Sequence, residues 1–182
     1  MDTVQVLYGQ VKEIDEFLMG SGEISLKSAA DSNFRKSVLL ASASFFETEI
    51  TNIIVSLAQE VTKNDHRIVS FVQKKGLARQ YHSLFNWDSK NCNAFLGLFG
   101  EDFKTEFCKL ITMDDALDKA IKAFIEIGAE RNRLVHQNFG QYTIEKTSEE
   151  IYELHLLAKY FVLMLRAGLA MKPDPNADDA VN

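Results

Sequence analysis

Thr112 to His136 reads TMDDALDKAIKAFIEIGAERNRLVH, and its spacing decides the fold class. Leu117, Ile121, Phe124, Ile125 and Ile127 recur at helical steps and make one apolar face. The Thr112 hydroxyl is expected to cap the start of this helix. Asp114 and Asp115 would then lie in its first turn, where carboxylates favour the positive end of the helix dipole. The stretch holds no proline. Both prolines of the 182-residue chain, Pro173 and Pro175, fall near its end. Because proline breaks helices, a body of about 170 residues without one points to an all-α protein.

Working outward, the helix stops before Gly140, and Tyr142 to Glu145 read as briefly extended. Thr147-Ser148-Glu149-Glu150 has capping-box spacing and opens a last helix to about Ala170. Upstream, Val4, Leu7, Val11, Ile14, Phe17 and Leu18 predict a first helix from Thr3 to Met19, ended by Gly20-Ser21-Gly22. A second, long helix is predicted from Ser28 to Val61, with small residues Ala41 to Ser44 that let another backbone come close. Residues 64 to 110 break into short pieces. These are a helix from His66 to Lys75 closed by Gly76, a short one near Leu77 to Phe85, and Phe-rich segments around Gly100. The expected architecture is a bundle of four long helices with a short-helix insert between the second and third. It would span residues 1–170, followed by a disordered acidic tail over 171–182.

The formal net charge is −6, which argues against a general nucleic-acid or membrane-surface binder but leaves room for a local basic pocket. Cys92 and Cys108 are isolated thiols, so neither a disulfide framework nor a zinc site is expected. Charged residues interrupt the N-terminal apolar run, and no stretch approaches about 18 uninterrupted apolar residues, the length of a membrane span. The expectation is a cytoplasmic protein with no membrane partner.

The chemically pointed feature is Arg131-Asn132-Arg133-Leu134-Val135-His136. With six arginines and four histidines, chance alone would give roughly 0.1 arginine–histidine pairs at this spacing, so spacing by itself is weak. Its setting adds weight. The motif closes a long amphipathic helix, a hydrogen-bonding Asn132 follows the arginine, and Glu47 and Glu49 sit inside the apolar stretch of the preceding long helix. Together these resemble the HEPN superfamily, helical bundles whose ribonuclease members carry arginine, a polar residue, a few further residues and histidine. The branch resembled is the RiboL-PSP type. The helical order is compatible over roughly residues 1–170. Specific motif support covers the six residues and, more weakly, Ser44-Phe45-Phe46-Glu47.

The residue types suit RNA cleavage. Histidine gives and takes a proton near neutral pH, and a guanidinium matches phosphate geometry and stays charged. Arg131 would hold the phosphate, His136 would move the proton, and Asn132 would orient one of them or the substrate. No cofactor and no metal ligand set is required. On a continuing helix Arg131 lies about 140° round from His136, so one chain does not obviously bring both to one phosphate. The resemblance implies a solution, a two-fold homodimer that joins two motifs in one cleft. It also implies products with a 2′,3′-cyclic phosphate and a 5′-hydroxyl, and a role as toxin or antiviral effector with an antitoxin or sensor partner. Glu47 either salt-bridges and orients Arg131 or faces solvent.

Blander readings stand beside these. Arg131 and Arg133 near a helix C-terminus can simply complement its dipole, and Arg133 is assigned that way as well as to RNA contact. Lys74, Lys75 and Arg79, with Tyr81 and His82, form either a basic aromatic RNA-contacting surface or a solvated face. His66 and His155 read as surface or core-edge residues. Phe95, Phe99, Phe103 and Phe107 read as core or subunit interface. The alternative function is a non-catalytic HEPN dimer that binds a nucleotide, RNA or a partner protein. A plain helical scaffold is the third.

Overall fold

In the computed structural model, residues 2–170 are described. The acidic tail expected over 171–182, with Pro173 and Pro175, lies outside them. Among the described residues the chain forms α1 (Thr3–Gly20), α2 (Ile24–Val61), α3 (His66–Phe71), α4 (Asn93–Leu96), α5 (Glu101–Met113), α6 (Asp115–His136) and α7 (Ser148–Ala170), with no strand. The all-α architecture is the one expected, and α1, α2, α6 and α7 are the long helices. The 142–145 segment joins no strand partner.

α2 begins at Ile24 rather than the expected Ser28, and three other boundaries differ, each for a local reason. Thr112 does not cap α6; its Oγ1 donates back to the Cys108 carbonyl at 2.9 Å and so extends α5. Asp114, in extended backbone geometry, is the cap. Its Oδ1 accepts from the Ala116 and Leu117 amides at 2.9 and 3.2 Å, and a carboxylate does this better than a hydroxyl beside a positive helix end. The helix at His66 ends at Phe71 rather than Lys75. It loosens into a π-helical turn, Val72–Leu77, that absorbs Gly76. The helix predicted near Leu77 to Phe85 is only a 3₁₀ turn, Tyr81–Ser83. By contrast the α7 capping box forms as expected. The Thr147 amide donates to Glu150 Oε2 at 2.7 Å, and the Glu150 amide donates to Thr147 Oγ1 at 3.1 Å.

α2 runs through the bundle and packs against α1, α6 and α7, while α6 packs most extensively against α7. α2 is also long and apolar enough to cross a membrane, with mean hydropathy 1.4 over an 18-residue window. That differs from the sequence expectation; a third of that window is buried, and α2 packs against α1, α6 and α7. The core holds Val38, Leu39, Phe46 and Ile50 of α2, Leu117, Ile121, Phe124 and Ile127 of α6, and Ile151, Phe161 and Leu165 of α7. Burying each such side chain contributes about 1.5–3 kcal/mol. The α1 stripe is narrower than its spacing suggested. Val4, Val11 and Leu18 are buried, whereas Ile14 and Phe17 face outward.

The insert is a wedge of aromatic rings rather than a set of surface pieces. Phe85 stacks on Phe95 at 4.2 Å between centroids and meets Phe124 of α6 at 5.0 Å. Phe95, Phe99, Phe103 and Phe107 form a ladder with steps of 5.3, 5.6 and 5.6 Å. Phe95 and Phe107 are core residues, and Phe99 and Phe103 are partly buried against them. Trp87 lies against Gly128 so closely that a Cβ there would be 1.9 Å from its Cζ3. Only glycine allows the insert this approach to α6.

Candidate functional site

The Gly128–Trp87 contact lies one helical turn before Arg131, and it positions the insert beside the motif. The Trp87 indole Nε1 donates to the His82 carbonyl at 2.8 Å, so the same ring that seats on α6 also fixes the backbone of His82. Arg79 just upstream has φ of 63°. This left-handed conformation costs a non-glycine residue about 1 kcal/mol, and it turns the chain to deliver Tyr81 and His82. A narrow cleft results, with room for about one water, lined by Ala43 and Phe46 of α2, Tyr81, His82 and Trp87 of the insert, and Phe124, Ile127, Gly128 and Arg131 of α6. Ala43 comes from the small-residue stretch expected to admit a close neighbour.

Arg131 is half-buried. Its guanidinium donates to Asn132 Oδ1 at 3.2 Å, and among the described residues no carboxylate pairs with it. Four of the other five arginines are paired, and the fifth, Arg79, is exposed rather than half-buried. Arg35 pairs with Asp31, Arg67 with Asp65, Arg133 with Glu130 and Arg166 with Glu49. An unpaired guanidinium in a cleft retains most of its five N–H donors for an anion.

The carboxylates go elsewhere than expected. Glu47 makes no ion pair with Arg131 among the described residues; its Oε2 lies 4.0 Å from His82 Nε2. Glu49 ties α2 to α7 through Arg166 at 2.9 Å. His82, expected either on a basic aromatic RNA-contacting surface or on a solvated face, lines the cleft beside Arg131. Nothing in its spacing reveals it, since it reaches the motif only through the turn at Arg79 and the anchorage of Trp87. Its side chain is 39 % exposed. Burial, first, and then the nearby Arg131 charge lower its proton affinity; Glu47 raises it and His136 lowers it further. His82 is thus held below the ordinary histidine range, while Tyr81 beneath it is pushed far up by burial and stays protonated.

His136 is the last residue of α6 and is exposed. Among the described residues no hydrogen bond joins it to Arg131, in keeping with their separation around the helix. Arg133 is occupied. It binds Glu130 within α6, and Glu130 also accepts from the Tyr142 hydroxyl at 2.6 Å, so the glutamate fastens the end of α6 to the following loop. That loop is clamped from α2 as well. Lys36, 3 % exposed, donates to the Phe139 carbonyl at 2.6 Å, and Arg35 donates to the Ile144 carbonyl at 3.2 Å. Sequence reading missed both clamps, because a lysine at one helical position carries no sign of burial. Lys74, Lys75 and Arg79 are exposed on the segment that leads to His82. Among the described residues no group of three or more His, Cys, Asp or Glu side chains could hold a metal ion.

An all-helical bundle that ends a long helix on arginine, a polar partner and histidine, with the arginine open in a cleft, defines a HEPN-type domain. The chain belongs to the RiboL-PSP-HEPN family, whose model matches residues 7–168. No curated protein and no solved structure matches it. Family membership points to a nuclease or nucleotide-binding role.

Proposed function

We propose that the chain is a metal-independent endoribonuclease that cleaves RNA to a 2′,3′-cyclic phosphate and a 5′-hydroxyl. The observation that carries this reading is Arg131, a half-buried guanidinium open to an anion on a protein whose formal charge is −6. Such a group stabilises a negatively charged ligand locally while the body repels polyanions at large. Arg131 binds the scissile phosphate and neutralises the charge that develops on the phosphorane. Asn132, bonded to Arg131, fixes its plane. His136, exposed at the helix end, transfers a proton.

The working unit is a homodimer. Arg131 and His136 diverge on one helix, and Val135 and Phe139 flank His136 as exposed apolar side chains, a surface suited to a second copy. Lys74, Lys75 and Arg79 contact the RNA backbone beyond the cleft. A role as toxin or antiviral effector, restrained by an antitoxin or sensor protein, fits such an activity.

The test is incubation of purified protein with total RNA in EDTA, beside Arg131→Ala and His136→Ala, with end-group analysis of the products. Cleavage by wild type and intact RNA with both variants supports the reading. RNA left intact by all three, with binding retained, replaces it by a non-catalytic binding module. A monomer by light scattering at micromolar concentration that still cleaves removes the shared cleft.

A further inference from the structure

The nuclease reading uses one histidine, yet the fold brings a second to the same cleft. His82 and Arg131 line it together. Glu47 of α2 lies 4.0 Å from His82 Nε2, which leaves Nδ1 as the imidazole nitrogen free to take a substrate proton. The backbone of His82 is held by the Trp87 indole, itself seated on Gly128 one turn from Arg131. This arrangement is specific to the insert, and the six-residue motif does not include it. The charged and titratable groups facing His82 are Glu47 from α2, Arg131 and His136 from α6, and its own neighbour Tyr81.

Resting on the nuclease reading and its shared cleft, we propose that His82 is the general base of the cleavage reaction, oriented by Glu47, and that His136 of the second copy is the general acid. Neutral His82 takes the proton of the ribose 2′-hydroxyl as that oxygen bonds to phosphorus. The bond between phosphorus and the 5′-oxygen breaks, and the leaving oxygen receives a proton from the second copy's His136 imidazolium. The two histidines end with protonation states exchanged, and solvent restores them. Arg131 stays on the non-bridging phosphate oxygens throughout. The lowered proton affinity of His82 suits the base, which must be neutral at working pH.

The experiment uses the full chain and two substrates, ordinary RNA and RNA with sulfur replacing the bridging 5′-oxygen at one linkage. A thiolate leaves without protonation, so the second substrate needs a base but no acid. Expected are losses of about 10²–10⁴-fold on both substrates for His82→Ala and His82→Gln. His136→Ala should lose a similar factor on RNA and recover most of it on the sulfur substrate. The Trp87 bond goes to the His82 backbone, so both His82 variants retain that anchor, and their thermal melts serve as the folding check. The wild-type rate should rise with pH through the His82 titration. Glu47→Gln, which removes a carboxylate that favours the imidazolium, should move this limb to lower pH. If wild type cleaves and the His82 variants stay within about threefold, the proposal falls while the nuclease reading stands. If the sulfur substrate rescues the His82 variants, the base assignment is overturned. If the limb does not move in Glu47→Gln, the orienting role of Glu47 is overturned. If wild type cleaves neither substrate, the nuclease reading itself fails and takes the proposal with it.

Discussion

Two histidine–carboxylate pairs stand in this molecule, and they are built for opposite ends. At the junction of α1 and α7, His155 Nε2 meets Asp2 Oδ2 at 2.7 Å, with the side chains 0 % and 8 % exposed. Beside α6, His82 faces Glu47 at 4.0 Å, with 39 % and 45 % exposed. Asp2 is saturated: it caps α1 through the Val4 amide at 2.9 Å and also accepts from Lys159 at 3.0 Å. Rings of Phe45 and Phe46 close over His155 at 5.0 and 5.1 Å. A neutral imidazole donating from Nε2 leaves Nδ1 as a bare buried acceptor, and Nδ1 indeed has no partner among the described residues. The first pair has no room for a ligand, while the second opens onto a cleft beside an unpaired guanidinium. The same two residue types thus form a closed structural pair in one place and an open one, free for the proposed chemistry, in the other, and burial separates the two.

The largest expected effect falls on the open side. Arg131→Ala should lower RNA cleavage by about 10³-fold or more, equal to about 4 kcal/mol of transition-state stabilisation. It should change the melting temperature little, because no ion pair among the described residues is lost. His155→Ala should do the reverse, unfolding the protein more readily while any molecules that fold retain cleavage. Paired activity and melting curves check both, and a large fall in stability for Arg131→Ala would erase the distinction.

Next in size is Gly128→Ala. The new Cβ would overlap Trp87, which is hemmed in by Phe85 and Phe124 at 4.9 and 5.8 Å. Overpacking of this kind costs about 3 kcal/mol, and it also pushes His82 off the cleft. Chemical denaturation and cleavage should therefore fall together. A stable but inactive Gly128→Ala would show that Trp87 positions the site without supporting the core.

How far these regions were legible in the sequence follows from the range of the interactions. Helical periods found α1, α2, α6 and α7, and the Thr147–Glu150 capping box was legible because both bonds run within one turn. Arg131, Asn132 and His136 were legible as a local motif. Glu47 was found as an isolated acid in an apolar stretch, but its neighbour was not, since His82 comes from a segment 35 positions away. His155 read as a surface or core-edge residue, because its partner lies at the other end of the described chain. Thr112 misled because a threonine ahead of two aspartates has the form of a cap, and only the continuation of α5 through Met113 gives that role to Asp114.

On the closed side, Asp2→Asn should cost about 2 kcal/mol. Burial alone would raise the Asp2 carboxyl. Hydrogen bonds from His155, Lys159 and the Val4 amide outweigh it and hold the group at about 2, below the ordinary 3.8. A depressed carboxyl contributes stability that is complete above about pH 4 and is lost as pH falls toward 2. Urea midpoints measured from pH 6 to pH 2.5 should drop in wild type over that window. In Asp2→Asn the wild-type advantage should be absent, and the two proteins should converge at the acid end. Parallel curves over the whole range would mean that the pair adds nothing to the acid response.

The smallest effect is expected at the open pair. Glu47→Gln removes the counterpart of Asp2, yet it should change stability by under about 0.5 kcal/mol. Both side chains are well exposed, the pair sits at the outer limit of an ion pair, and solvent screens most of its attraction. Raising salt from about 50 mM to 500 mM should then hardly alter the difference between Glu47→Gln and wild type in a urea melt. If the variant instead lost as much as Asp2→Asn, the His82 pair would be structural after all. Its opening onto the Arg131 cleft would then follow from packing rather than from a task in the reaction.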